Sequence, residues 1–145
     1  MSLLFPIPKI DHKDVLAAIR AAEAATSGEI RVLIARHKAA DPVAAAQGYF
    51  HRLGMAKSPH RNGVLIFLAP RSRRFAVIGD KGVHEKCGDA FWAELAAAMS
   101  ERFRRGDFTD GLVHGITRAG ELLAKTFPRS PADAPPRPAR ASEVD

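Results

Sequence analysis

Cysteine is nearly absent from this sequence, since Cys87 is the only thiol among 145 residues. A single cysteine cannot form an internal disulfide or a cysteine-based zinc finger, and it fits a reducing compartment, so we expect a cytoplasmic protein. Long hydrophobic runs are also lacking, because none approaches the roughly 18 residues needed to cross a bilayer. The apolar start, residues 1–8, has no cationic residue and is interrupted by Pro6 and Pro8, which argues against a secretory signal.

Motifs of the common enzyme classes are missing as well. The sequence contains no Walker A loop, no G-x-G-x-x-G dinucleotide fingerprint and no G-x-S-x-G nucleophile elbow. Its six histidines are scattered, and none forms the i, i+4 pair on one helix that favours zinc binding. The motifs of these enzyme classes therefore do not identify a reaction for this protein.

The composition, with 46% hydrophobic and 26% charged residues, is typical of one globular domain. We expect residues 1–128 to form that single domain. Residues 129–145 are rich in proline and alanine and have Val144 as their only larger aliphatic residue, so a disordered tail is predicted there.

Apolar periodicity predicts alternating helices and strands. Asp11 and the Asp41-Pro42 pair are typical of helix starts. Three strands are predicted at residues 29–35, 64–68 and 74–78. A later helix is predicted at about 83–104, and a last one is capped by Asp107 or Thr109 and precedes Pro128, which closes the domain. A helix between the first two strands implies a parallel crossover, and the hairpin after it adds an antiparallel strand. The expected fold class is therefore α/β, a three-layer α/β/α sandwich whose small mixed β-sheet is flanked by helices.

Positive charge is concentrated in the middle of the chain. From Arg31 to Arg74 there are nine lysines and arginines and one aspartate, Asp41, a local excess of 9 − 1 = +8. Arg36, with His37, and Arg71 with Arg73 follow the two parallel strands, at the edge where open α/β sheets usually bind ligands. We interpret these side chains as candidate contacts to an anionic partner, the alternative being a solvated face that serves solubility.

The opposite edge of the predicted sheet carries a mixed polar group. Glu29, Asn62 and Asp80 offer oxygen ligands that suit Ca²⁺ or Mg²⁺, and Arg61 is placed to bind an anion beside them. In the simpler alternative, Asn62 and Asp80 are ordinary turn residues and Glu29 pairs with Arg61.

Several segments together resemble the TPM domain family. They are Thr26–Ile30, Arg61–Ile66 and Ala76–Gly82, followed by Phe103–Phe108 and Leu123–Pro128. The resemblance covers about residues 11–128, nearly all of the predicted domain. It depends on the order and spacing of these segments, since no single one is specific.

The resemblance implies an α/β/α sandwich and a family linked to phosphatase activity, divalent-metal binding and membrane-protein assembly. Its acidic pocket maps onto Glu29, Asn62 and Asp80, with Asp107 from the closing motif, and Glu29 and Asp80 would be the metal ligands. His60 stands where relatives often have an acidic residue, which removes one possible ligand. Unlike many relatives, the chain shows neither a signal peptide nor a membrane segment, and it resembles the short, soluble type.

Two functions from different classes follow. The first is a non-catalytic binding or adaptor module, which acts with a protein or membrane-associated partner through its basic segment. The alternative is a divalent-metal-dependent phosphatase acting on phosphomonoesters, in which Glu29 and Asp80 hold the ion and Arg61 binds the phosphoryl oxygens. Nucleic-acid binding through Arg71, Arg73 and Arg74 ranks last, because no recognition motif accompanies the charge.

Overall fold

In the computed structural model, which describes residues 9–133 and 138–144, helices and strands alternate along the chain. Two single-turn 3₁₀ helices, Met55–Lys57 and Pro70–Ser72, connect longer elements. The longer elements are α1 (His12–Glu23), β1 (Glu29–Ala35), α2 (Pro42–Arg52), β2 (Gly63–Ala69), β3 (Arg74–Gly79), α3 (Lys81–Arg104), α4 (Phe108–Thr126) and β4 (Arg140–Val144).

The strands form one mixed sheet in the order β3-β2-β1-β4. β1 and β2 are parallel, with Ile30 beside Val64, and β3 runs antiparallel to β2 with Gly79 beside Val64. β2 is buried along its whole length and β1 almost so, as their continuous apolar sequences predict for inner strands. The predicted parallel pair and hairpin are therefore confirmed.

Helices cover both faces of this sheet. Side chains such as Val32 and Ile66 face the layer formed by α1, α3 and α4. Alternate side chains such as Leu33 and Phe67 face α2, where Phe50 packs against them. The three-layer sandwich expected from the sequence is confirmed.

Helix starts agree with the sequence signals. Asp11 and Asp41 are the N-caps of α1 and α2: the Asp11 side chain accepts two backbone N–H groups of the first turn, and that of Asp41 accepts one, from Ala44. α3 is kinked at Gly88, whose φ of 71° is non-helical. Among the described residues, no helix is both long enough and apolar enough to span a bilayer.

β4 is a feature that composition did not predict. It lies within the segment expected to be disordered, yet Arg140–Val144 forms a strand parallel to β1, with Ala141 beside Val32 and Val144 beside Ala35. The expectation of disorder is wrong for these five residues, because pairing with an apolar strand supplies order that the sequence of the tail alone does not encode. Residues 134–137 and 145 of the predicted tail, and residues 1–8 of the predicted domain, lie outside the described residues.

Candidate functional site

At the edge where β1 and β2 begin, the loop before β2 is bound to the turn after β3. The Asp80 N–H donates to the carbonyl of Gly63 at 2.9 Å, and the Gly82 N–H donates to the carbonyl of Arg61 at the same distance. We call this side of the molecule the amino edge. It brings the predicted segments around Asn62 and Asp80 into direct contact.

Arg61 and Asp80 form a two-point ion pair at the amino edge. Arg61 Nε donates to Asp80 Oδ2 at 2.9 Å, and Nη2 donates to Oδ1 at 2.8 Å. The carboxylate is 5% exposed and also accepts the N–H of Lys81, which caps α3. Both oxygens of Asp80 are thus already bound by the protein.

The protonation of Asp80 follows from these contacts. Burial acts to raise the pKa of the carboxyl, but the hydrogen bond of Arg61, the Lys81 N–H, the Arg61 charge and His51 together lower it by more. The pKa of Asp80 is therefore below its ordinary value. The hydrogen bond and charge of Asp80 in turn raise the pKa of Arg61, so the pair stays ionised.

Glu29 lies at the first position of β1, beside Gly63 of β2. Its Oε2 accepts a hydrogen bond from Arg31 Nε at 2.6 Å, and both side chains are largely buried. The structure thus places Glu29 at the amino edge, as predicted, in an ion pair with a residue of its own strand.

Asn62 is 2% exposed, and its Nδ2 donates to the hydroxyl of Ser27 at 3.1 Å. A Cβ on Gly28 would lie 2.9 Å from the carbonyl oxygen of Asn62, so glycine permits this close approach of the two loops. Thr26 lies in the same loop as Gly28, between α1 and β1, and fixes that loop further: its hydroxyl donates to the carbonyl of Phe127 at 2.6 Å.

A pocket of about 280 Å³ opens beside Asn62. Glu23 lines it and is only 5% exposed, and its Oε2 accepts the N–H of Ile30 at 2.8 Å. Arg129 and Asp133, which follow α4, line the pocket from the other side. Sequence reasoning missed these three residues as site candidates, although Glu23 is in step with Val15 and Ile19 on the apolar face of α1, where a charged residue is unexpected.

Asp107 is not brought to the amino edge. It precedes α4, and its Oδ2 is 3.4 Å from Arg105 Nε. The amino edge lies at the other end of this helix, where Thr26 contacts Leu123. A helix of 19 residues is roughly 28 Å long, so Asp107 and Asp80 cannot share an ion. Within residues 9–133 and 138–144, no three His, Cys, Asp or Glu side chains are grouped as metal ligands would be.

A second cluster lies at the opposite side of the sheet, where β1 and β2 end. Two hydrogen bonds hold its loops together, from the Ala39 N–H to Ser72 Oγ at 2.8 Å and from Arg74 Nη1 to the carbonyl of Ala40 at 2.6 Å. Five exposed cationic side chains lie in these loops or at the first position of β3 and define what we call the basic edge: Arg36, Lys38, Arg71, Arg73 and Arg74. The predicted anion contacts Arg36, Arg71 and Arg73 thus share one side, whereas Arg61 lies at the amino edge.

Comparison with known proteins gives a consistent picture. A sequence profile described as the TPM domain matches residues 8–122. The solved structure of the BA42 protein from the psychrophilic bacterium Bizionia argentinensis is 37% identical, has a TM-score of 0.83, and is matched over 93% of this chain and 95% of that chain. No curated protein matches the sequence.

Two more distant structures share the fold. The N-terminal domain of the cg2496 protein from Corynebacterium glutamicum is 19% identical with a TM-score of 0.62, over 79% of this chain and 74% of that chain. The N-terminal domain of a protein from P. gingivalis is 18% identical with a TM-score of 0.61, over 81% and 78%. At this identity the likeness concerns architecture alone.

Proposed function

The chain belongs to the TPM domain family, and from that premise we propose that it is a non-catalytic binding module whose basic edge contacts an acidic protein or membrane-associated partner. The observation that carries the proposal is the grouping of five exposed cations in two loops and at the start of β3, at one end of the sheet. One of them, Arg36, lies 3.7 Å from the carboxylate of Glu143. Neighbouring charges of one sign raise the local potential and favour encounter with an anionic surface. The single thiol, Cys87, is compatible with a cytoplasmic site of action.

The contacts of Asp80 argue against a role as general acid or base at the amino edge. A general acid or base works best with a pKa near the ambient pH, because it must both gain and lose a proton. The pKa of Asp80 is instead lowered, and its carboxylate is fixed by Arg61 and by the Lys81 N–H. Such a carboxylate serves to hold two loops in place.

The loops of the basic edge are also suited to recognition. The hydrogen bonds from Ala39 to Ser72 and from Arg74 to Ala40 fix the two loops to each other. Arg73 lies at φ 53°, where the chain turns into β3. Fixed loops lose little conformational freedom on binding, so less of the interaction energy is spent on ordering them.

Charge reversal tests the proposal. The Arg71→Glu/Arg73→Glu double variant should lower binding to vesicles of mixed phosphatidylglycerol and phosphatidylcholine, or to polyglutamate, by at least about tenfold at low salt. Binding of the wild-type chain should weaken as salt rises, because exposed charges are screened beyond roughly 8–10 Å at physiological ionic strength.

The matched control is Lys57→Glu/Lys81→Glu, which changes the net charge equally with exposed residues away from the basic edge. Its binding should stay within about twofold of wild type if location matters, as expected for a localised patch. Equal loss in both double variants, or no binding of the wild-type chain to either anionic probe, would contradict the proposal.

A divalent-metal-dependent phosphatase acting on phosphomonoesters is the second candidate. The observation in its favour is the pocket beside Asn62, which Glu23 and Asp133 line with carboxylates. The candidate ligands Glu29 and Asp80 do not fit an ion as they are arranged, because each is bound to an arginine that the ion would have to displace. We therefore assign no reaction step to a metal ion at Glu29 and Asp80.

Titration with Ca²⁺ and Mg²⁺, followed by backbone amide NMR, tests this second function. Saturable shifts near Glu29, Asn62 and Asp80 that Asp80→Asn abolishes, together with hydrolysis of p-nitrophenyl phosphate, would establish it. Spectra unchanged up to millimolar ion would exclude the metal-dependent enzyme.

A further inference from the structure

A large hydrophobic residue is exposed beside the basic edge. Val43 is 48% exposed, more than any other large hydrophobic residue within 9–133 and 138–144. It is the second residue of α2, just after the loop that follows β1. Val43 lies at helical spacing from Ala46 and Phe50, which are buried against the sheet. The apolar stripe of α2 thus continues past the buried layer and ends on an exposed aliphatic side chain.

The structure holds Val43 close to the cations of the basic edge. Arg74 Nη1 donates to the carbonyl of Ala40 at 2.6 Å, and Ala40 precedes Val43 by three residues. Because consecutive Cα atoms are 3.8 Å apart, the Cα atoms of Ala40 and Val43 are at most about 11 Å apart. The bond from Ala39 to Ser72 holds the turn between β2 and β3, with its other arginines, against the same loop. The cations and the exposed valine therefore form one surface.

Two carboxylates lie on this surface and offset part of its charge. Asp41 caps α2, and Glu143 Oε1 is 3.7 Å from Arg36 Nε. Four exposed cations have no carboxylate partner within the described part of the chain: Lys38, Arg71, Arg73 and Arg74. The surface therefore keeps an excess of positive charge that an external anionic partner can neutralise.

We propose that the basic edge docks on the surface of a lipid bilayer that contains anionic lipids, with Val43 inserted at the level of the headgroups. Peripheral binding of this kind adds the burial of apolar surface to the attraction between cations and anionic headgroups, and the edge supplies both. The inference rests on the proposed function, and it names the lipid surface itself as the partner.

An acidic protein fits this surface less well than lipid does. Binding energy between proteins is concentrated in a few side chains, with tryptophan and tyrosine enriched beside arginine, that fill desolvated pockets of the partner. The two loops, residues 36–41 and 70–74, contain no phenylalanine, tyrosine or tryptophan. They present long cationic side chains around one aliphatic residue, and each lysine or arginine near an anionic membrane adds to the attraction without a matching pocket.

Vesicle binding by the full chain tests the proposal. The wild-type chain should bind vesicles of mixed phosphatidylglycerol and phosphatidylcholine, and should not bind phosphatidylcholine alone, because the electrostatic attraction is then lost. Val43→Ser should weaken binding to the mixed vesicles by about fivefold, since less apolar surface is buried, and should leave binding to polyglutamate within about twofold of wild type. Ala44→Ser, at the next exposed residue of α2, is the matched control and should leave binding to both probes within about twofold.

Tryptophan fluorescence locates the inserted side chain. The chain has a single tryptophan, Trp92, whose indole nitrogen is buried, so its emission should not respond to vesicles. Emission of Val43→Trp should shift to shorter wavelength on mixed vesicles and should be quenched by brominated phosphatidylcholine. His51→Trp is the matched control, because His51 is exposed on α2 eight residues further on, about 12 Å along the helix from Val43. Its emission should stay unchanged.

Two results with bound vesicles would overturn the inference: equal affinity of Val43→Ser and wild type for the mixed vesicles, and equal responses of Val43→Trp and His51→Trp. Binding to polyglutamate without binding to vesicles would assign the basic edge to an acidic protein, which refutes the lipid surface and leaves the proposed function standing. Binding of the wild-type chain to neither probe would refute both.

Discussion

Arg61 and Asp80 join two loops that are 19 residues apart in sequence through two hydrogen bonds of 2.9 and 2.8 Å. The Asp80 carboxylate is buried and caps α3, whereas the guanidinium of Arg61 reaches it from an exposed position. Since the Gly82 N–H also donates to the Arg61 carbonyl, the loop before β2 and the start of α3 are fixed to each other by side chain and backbone together.

Substitutions at Asp80 should separate its two structural roles. Asp80→Ala removes both the α3 cap and the ion pair, and we expect the loss of the cap alone to lower the free energy of unfolding by about 0.5–2 kcal/mol. Asp80→Asn keeps a capping oxygen and loses the charge, so its loss should be smaller. Urea unfolding followed by circular dichroism measures both, and a larger loss for Asp80→Asn than for Asp80→Ala would contradict this division.

The lowered pKa of Asp80 predicts a pH dependence with a definite sign. Because the carboxyl has a lower pKa in the folded state than its ordinary value of 3.8, the unfolded chain binds more protons in the interval between the two values. The stabilisation is complete above about pH 4 and is lost as the pH falls through the folded-state pKa. The difference in unfolding free energy between wild type and Asp80→Asn should therefore shrink in acid, and a difference that grows below pH 4 would contradict the assignment.

The inner strands were predictable because their signals are local. Continuous apolar residues define β1 at Glu29–Ala35 as predicted. β2 extends one residue beyond its predicted range at each end, and β3 extends one residue beyond its predicted range at the carboxyl end. β4 was missed because its order comes from pairing with a distant strand, a contact that the composition of the tail does not report.

Part of the candidate site was likewise predictable from the sequence, and part of it was not. Topology alone placed Asn62 and Asp80 at one edge, since strand order decides which loops meet. The pocket depends instead on α1 packing against the chain after α4, where Arg129 Nη2 donates to the carbonyl of Glu23 at 3.3 Å. Contacts between residues 106 positions apart are not encoded in any local pattern. Asp107 was assigned to the site by motif resemblance, but it precedes α4 and therefore lies at the end of that helix away from the amino edge.

Gly82 should be intolerant of a side chain. A Cβ there would lie 2.5 Å from the carbonyl oxygen of His60 and 2.7 Å from that of Arg61, and backbone atoms yield little. We expect Gly82→Ala to lower the free energy of unfolding by about 1–3 kcal/mol. Gly48→Ala is the control within α2, where a Cβ meets only the flexible end of Arg52 and should stabilise the helix by about 0.5–1 kcal/mol. Equal effects of the two substitutions in thermal unfolding would argue against the close approach at Gly82.

His114 should resist protonation in the folded protein. Burial lowers its pKa first, and the charges of Arg102 and Arg118 lower it further, against a smaller opposing effect of Asp110 and Glu121. Because the unfolded chain then binds more protons below pH 6.5, stability should fall as the pH drops through 6.5 toward the folded-state pKa, and His114→Gln should remove this part of the dependence. NMR titration of the imidazole in the folded and the urea-unfolded chain measures the two pKa values directly. A folded-state value equal to or above the unfolded one would mean that the arginines and the burial of His114 do not act as the structure indicates.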